Sequence, residues 1–180
     1  MNIFWISGRC GYGKTAFADS IIKEFEGKGK KTCKLDGQDF IDLFVKNIKI
    51  RNPIDNLISR FQEYDLLVLD DLDLSLSGKR ATQKELKKVI KKITNNNKTK
   101  VILISQKRAR KIKKLKFKSN CCEYIRLKTP SIYFKIKLVE EWLGKEKLAI
   151  PEDKIKEIVD KSNNLFQLKG IFHQISFKYR

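Results

Sequence analysis

Gly8-Arg9-Cys10-Gly11-Tyr12-Gly13-Lys14-Thr15 follows the apolar run Ile3-Phe4-Trp5-Ile6 with a single serine between them. The octet fits G-x-x-x-x-G-K-[ST] and sits between a strand-like run and a helix-like one, the context that gives this spacing its chemistry. Glycines let the backbone curl until several N–H groups face one anion, and the helix that follows adds the positive end of its dipole. The stretch reads as a phosphate-binding loop that opens an α/β domain. On that reading Lys14 reaches the β- and γ-phosphates of a nucleotide and Thr15 holds Mg²⁺. Gly8, Cys10, Gly11, Tyr12, Gly13 and Ala16 complete the expected nucleotide-binding set.

Working outward, Ala16 to Phe25 places Phe17, Ile21, Ile22 and Phe25 at a helical period, and Gly27 and Gly29 stop it. Thr32 to Leu35 reads as a second strand. Asp39 to Ile48 is expected to be a helix with Phe40, Leu43 and Phe44 inward, and Pro53 to Phe61 another with Ile54, Leu57, Ile58 and Phe61 inward. Leu66-Leu67-Val68-Leu69 is continuously apolar, as a central parallel strand should be. Thr82 is the expected cap of a long helix through Asn95, with Leu86, Val89, Ile90 and Ile93 on its apolar face. Val101 to Ile104 and Tyr124 to Leu127 are the fourth and fifth strands. From Pro130 the pattern is all helical: Ser131 to Leu143, Pro151 to Lys161 with proline at the first helical position, and Leu165 to Phe177. Alternating strands and helices imply a parallel five-stranded sheet flanked by helices. The expected division is a P-loop NTPase subdomain over 1–129 and a small helical lid over 130–180.

The strand at 66–69 ends in Asp70-Asp71, the second chemical feature. A phosphate loop needs a carboxylate on a neighbouring strand to orient Mg²⁺, which is the role expected of Asp70. Asp71 is then placed to polarise an attacking water as general base. Ser105-Gln106 ends the next strand and is expected beside the γ-phosphate, where both side chains can sense it by hydrogen bonding.

Forty Lys+Arg against 21 Asp+Glu give a net charge of +19, which favours a polyanionic partner. The codon bias of an A+T-rich genome gives the same composition, so charge alone leaves the partner open. Cys10, Cys33, Cys121 and Cys122 show no C-x-x-C spacing and His173 is the only histidine, which points to neither a zinc site nor a disulfide framework. No basic leader precedes the first strand and no apolar run reaches membrane-spanning length, so a cytoplasmic location without membrane attachment is expected.

Four segments carry a family resemblance. GRCGYGKT resembles the phosphate loop, YDLLVLDD (Tyr64 to Asp71) the Walker B strand, and KVILISQ (Lys100 to Gln106) the sensor 1 strand of AAA+ ATPases, in the branch of the DnaA initiator, its regulators and helicase loaders. Leu148 to Ile175 is similar to the lid of that branch. The resemblance implies ATP with Mg²⁺ as cofactors and a role in DNA replication or its control. It also implies contact with nucleic acid, single-stranded DNA included, self-association, and an initiator or replicative helicase as partner.

Departures from the family pattern set further expectations. Lys118 falls where the arginine finger is expected and Phe166 where the lid arginine is expected; phenylalanine cannot stabilise phosphate charge, and lysine lacks the two-pronged guanidinium contact. The chain begins just before its first strand, so the adenine-wrapping segment, the N-terminal domain and the duplex-binding domain of DnaA are expected to be absent, base recognition loose and hydrolysis slow or partner-dependent. Gln106 stands where DnaA usually has aspartate.

Eight Lys/Arg lie among the twelve residues 107–118, interrupted by Ala109, Ile112, Leu115 and Phe117. Lys107, Arg108, Arg110 and Lys111 are candidate nucleic-acid contacts, through phosphates and without sequence preference; a solvated loop is the alternative. Lys79 and Arg80 resemble the place where DnaA grips single-stranded DNA. Phe134 and Trp142 are expected in the core rather than on bases, and His173 is expected to be structural. Two other classes compete: a degenerate AAA+ adaptor that docks without catalysis, and a small-substrate P-loop kinase, which the scarcity of arginine after position 110 disfavours.

Overall fold

The computed structural model describes residues 1–49, 54–76, 79–106 and 115–179. Lys107, Arg108, Arg110 and Lys111 lie outside them. Contacts divide the chain into two compact units, Met1–Gly8 with Lys14–Leu127, and Arg9–Gly13 with Lys128–Arg180.

The first unit holds five parallel strands: β1 (Ile3–Ser7), β2 (Thr32–Asp36), β3 (Leu66–Asp70), β4 (Lys100–Ser105) and β5 (Cys122–Arg126), in spatial order β2-β3-β4-β1-β5. Its helices are α1 (Lys14–Gly27), α2 (Gly37–Lys49), α3 (Ile54–Gln62), α4 (Leu72–Leu76) and α5 (Arg80–Thr94). The strands are apolar on both sides because both faces are covered. Leu67, Leu69, Val101 and Leu103 point to a core filled by α2, α3, α4 and α5, with Leu115 and Phe117 joining it. Their neighbours Leu66, Val68, Ile102 and Ile104 face Ala18 and the apolar edge of α1.

Handedness explains the unequal cover. The crossovers β2 to β3 and β3 to β4 step one way across the sheet, while β1 to β2 steps back. Right-handed connections therefore put α1 alone on the opposite face. The strand order reverses its direction of travel at adjacent β1 and β4, and the C-terminal edge at such a reversal is the usual ligand position of these sheets.

Local chemistry sets the element ends. After α1, Gly29 takes a left-handed φ of +69°. Lys30 N–H returns to Phe25 O at 3.0 Å and Gly29 N–H to Glu26 O at 2.9 Å, the double bond pattern that closes a helix on a glycine. Helix α5 begins at Arg80, not at Thr82: Lys79 is its cap, without a side-chain bond, and Gln83 N–H meets Lys79 O at 3.0 Å. Thr82 lies inside the first turn. The charged stretch before it tolerates helix, and buried Gln83 anchors the start by donating to Leu76 O at 2.8 Å. In α2 Ile41 is buried with Phe40 and Phe44, whereas Leu43 is exposed. Similarly Ala18, not Phe17, is the fully buried residue of α1. Strand β5 starts two residues before the expected Tyr124 and stops at Arg126, because its pairing with β1 runs in register from Ile3–Cys122 to Ser7–Arg126.

The second unit contains α6 (Ile132–Glu146), α7 (Glu152–Asp160) and α8 (Leu165–Ser176), then a 3-10 turn at Phe177–Tyr179. Its core is Val139, Leu143, Ile150, Ile158, Val159, Leu168 and Phe172, with Trp142 tilted against Phe172 at 5.2 Å. Phe134, expected in that core, is 50% exposed on the opposite side of α6 from Val139. Pro151 caps α7 with extended backbone rather than occupying its first helical position. Ser131 and Asn164 cap α6 and α8, accepting from Phe134 N–H and Gln167 N–H. Lys135 is buried and donates to Val159 O and Ser162 O, carbonyls at the C-terminal end of α7 where a cation is favoured.

Candidate functional site

In the first unit the ends of three central strands meet the start of α1. Gly8 N–H donates to Ser105 O at 3.3 Å, tying the loop's entry to the end of β4. Lys14 and Thr15 open α1, and Lys14 is buried, 7% exposed. Thr15 Oγ1 donates to Asp70 Oδ2 at 3.0 Å. The other Asp70 oxygen accepts from Asp71 N–H at 2.9 Å. Asp70 is thus held at both oxygens, facing the residue that follows the loop's lysine.

Asp71 takes a left-handed φ of +49°, uncommon outside glycine and least costly for Asn or Asp. Burial pushes its carboxyl up from the ordinary aspartate range; the Asp70 charge adds to this, Lys14 opposes it, and Asp73 and Asp36 add smaller pushes the same way. A carboxylate that holds its proton more tightly is a better proton acceptor at neutral pH. Asp36, paired in register with Asp70, ends β2.

Asp73 was not expected from its sequence position. It is 4% exposed, and its Oδ1 accepts from Gln106 N–H at 2.9 Å, which joins α4 to the end of β4. The available signal was its place three residues after Asp70, just beyond the strand end. Gln106 itself is exposed beyond β4. Ser105 departs from expectation: it is fully buried and its Oγ accepts from Trp5 Nε1 at 2.7 Å, so it serves the sheet interior and not a ligand. Among the described residues no three His, Cys, Asp or Glu side chains converge as a metal site. A hydroxyl and one carboxylate at 3.0 Å nevertheless suit Mg²⁺, which keeps several waters and takes most remaining oxygens from phosphate.

The middle of the glycine-rich loop groups with the second unit. Gly11 and Gly13 have φ of +75° and +82°. Leu165 N–H donates to Gly11 O at 2.8 Å, and a Cβ on Gly11 would lie 2.6 Å from Asn164 Oδ1. Tyr12 hydroxyl meets Thr129 Oγ1 at 2.9 Å. Cys10 is exposed with a free thiol, and Ala16 is exposed on α1. Phe166, in the first turn of α8, is 80% exposed. Lys79, Arg80 and Lys118 are exposed in the first unit. No helix among the described residues is long and apolar enough to cross a membrane.

Residues 1–121 match the family profile of the bacterial DnaA ATPase domain. The chromosomal replication initiator protein DnaA of Helicobacter acinonychis is 25% identical over 174 residues, covering 94% of this chain and 38% of the relative. That of Streptococcus mutans is 30% identical over 109 residues, 59% of this chain and 24% of the relative. The chain spans less than two-fifths of the length of either. Among solved structures, a replication initiator DnaA bound to AMPPCP and single-stranded DNA superposes with a TM-score of 0.81 at 22% identity, covering 99% of this chain and 56% of that one. AMPPCP-bound DnaA from Aquifex aeolicus gives 0.80 at 23% identity, with 98% and 56% covered.

Proposed function

The chain belongs to the bacterial DnaA ATPase domain family, and from that membership we propose that it binds ATP with Mg²⁺ and acts in DNA replication or its control. The observation that carries this reading is the Thr15–Asp70 hydrogen bond at 3.0 Å beside buried Lys14, a phosphate-and-metal end already oriented. Gly8, Cys10, Gly11, Tyr12, Gly13, Lys14, Thr15 and Ala16 are the residues assigned to ATP; Thr15 and Asp70 are those that would hold Mg²⁺. When bound, Mg²⁺ neutralises charge on the β- and γ-phosphates. Asp71, with its carboxyl pushed up and its backbone fixed by Asp70, is the proposed proton acceptor for an attacking water. Gln106 is the proposed γ-phosphate sensor.

Turnover is proposed to be slow in the isolated chain. Phe166 stands exposed at the start of α8 where the family pattern calls for arginine, and Lys118 replaces the finger arginine. The same residues favour the second reading, an adaptor that keeps the fold as a docking surface for an initiator or helicase. Phosphate release in the presence of Mg²⁺ separates them: slow, Lys14-dependent turnover supports the first, and analogue binding too weak to detect supports the second. Brisk turnover abolished by Lys14→Ala would remove the claim of slowness.

Nucleic-acid contact is the remaining part of the proposal. It is supported by the net charge of +19, by exposed Lys79 and Arg80 at the start of α5, and by the relative solved with single-stranded DNA. Self-association is part of the same proposal, and size-exclusion chromatography with and without ATP tests it.

A further inference from the structure

Helix α5 spends its apolar face on the first unit's larger core, where Leu86, Val89, Ile90 and Ile93 are buried with residues of α3 and the sheet. The opposite side carries Arg80, Lys84, Lys87 and Lys91, at i, i+4, i+7 and i+11, so one cation recurs at about each 5.4 Å turn. Neighbouring lysines on the helix are neutralised, Lys88 by Glu85 at 2.8 Å and Lys92 by Asp55 at 2.9 Å. Among the described residues the four stripe cations make no ion pair.

Beyond the helix the stripe continues onto the segment before β5. Lys87 Nζ donates to Lys116 O and lies 5.6 Å from the centre of the Phe117 ring. Lys116 and Lys118 then line an open groove of about 660 Å³ together with Ser119, Asn120 and Tyr124. Burial lowers the pKa of Lys87, and repulsion from Lys91 and Lys118 lowers it further. Lys87, Lys91 and Lys118 therefore repel one another, and an anion lying between them relieves that repulsion.

We infer that Arg80, Lys84, Lys87, Lys91, Lys116 and Lys118 form a continuous track for a nucleic-acid phosphodiester backbone. It rests on the proposed nucleic-acid contact at Lys79 and Arg80 and extends it along the exposed side of α5. A bilayer is the poorer fit. A surface helix that lies on lipid inserts an apolar face, and α5 has none left to offer. The track carries no base-reading geometry, so binding is indifferent to sequence and follows counterion release.

Fluorescence anisotropy of labelled single-stranded and duplex oligonucleotides, titrated with the full chain from 50 to 200 mM salt, tests this. The triple variant Lys84→Gln, Lys87→Gln, Lys91→Gln is compared with Lys23→Gln, Lys156→Gln, Lys169→Gln, which removes the same charge from exposed positions elsewhere. The α5 variant is expected to bind about tenfold or more weakly at the low salt, with a log–log salt slope about 2 to 3 smaller, while the control variant stays near the unsubstituted chain. Whichever oligonucleotide shows the larger difference is the natural strand form. Equal losses in both variants would overturn the track in favour of net charge alone, and so would an unchanged slope in the α5 variant. Binding to vesicles rich in phosphatidylglycerol but to neither oligonucleotide would also overturn it. ATP-analogue affinity and melting temperature, read on the same variants, separate failure of the track from failure of the nucleotide site or of folding.

Discussion

Asp71 combines a left-handed backbone, partial burial and three acidic neighbours in one residue. Its folded-state pKa lies above the ordinary value of 3.8, so the folded chain binds this proton more tightly than the unfolded chain does. Stability from this group is therefore lost as pH rises from about that value through the raised one, and stays lost at neutral pH. Asparagine keeps the shape, accepts the positive φ and carries no charge. Asp71→Asn is expected to melt at a higher temperature than the unsubstituted chain at pH 7, with the gap closing as pH is lowered to 3.5; an equal gap at both pH values contradicts this. The paired acids and the glycine-rich octet were legible because their spacing is itself the chemistry. Asp73 was hidden, because its partner is the main-chain N–H of Gln106, 33 residues on, and only the β3–β4 pairing brings the two together.

Among elements, the strands and long helices could be read from their apolar periods, since in a sheet covered on both faces burial follows composition. Helix α4 gave no such period: it is five residues long and pairs with β4 only through the tertiary fold. The start of α5 was misread because Thr82 is a good cap by chemistry, while buried Gln83 and the Lys79 carbonyl fix the start two residues earlier. Contact between α2 and the Asp70 turn is closer still. A Cβ on Gly37 would stand 2.8 Å from Asp70 O and 3.0 Å from Leu72 Cα, both backbone atoms that cannot rotate away. Gly37→Ala is expected to cost about 1–3 kcal/mol by overpacking, and to weaken nucleotide binding by shifting Asp70. Urea melts and analogue titration check both effects; full stability with full affinity would show that the turn yields freely.

At the scale of the whole molecule, the alternation of strands and helices was enough to derive a parallel sheet, and handedness then accounts for α1 standing alone on one face. The grouping of Arg9–Gly13 with the C-terminal helices was not legible, because it rests on single contacts such as Leu165 N–H to Gly11 O. Net charge of +19 predicts affinity for polyanions but not where they bind; the cation stripe along α5 is the proposed location. Nucleotide binding is the claim on which the functional reading turns. Titration of a fluorescent ATP analogue with and without Mg²⁺, on the unsubstituted chain, Lys14→Ala and Asp70→Asn, tests it most directly. Saturable binding is expected for the unsubstituted chain, with a loss of about 100-fold or more in Lys14→Ala and a loss of Mg²⁺ dependence in Asp70→Asn. Equal binding by all three proteins, or none by the unsubstituted chain, would contradict it.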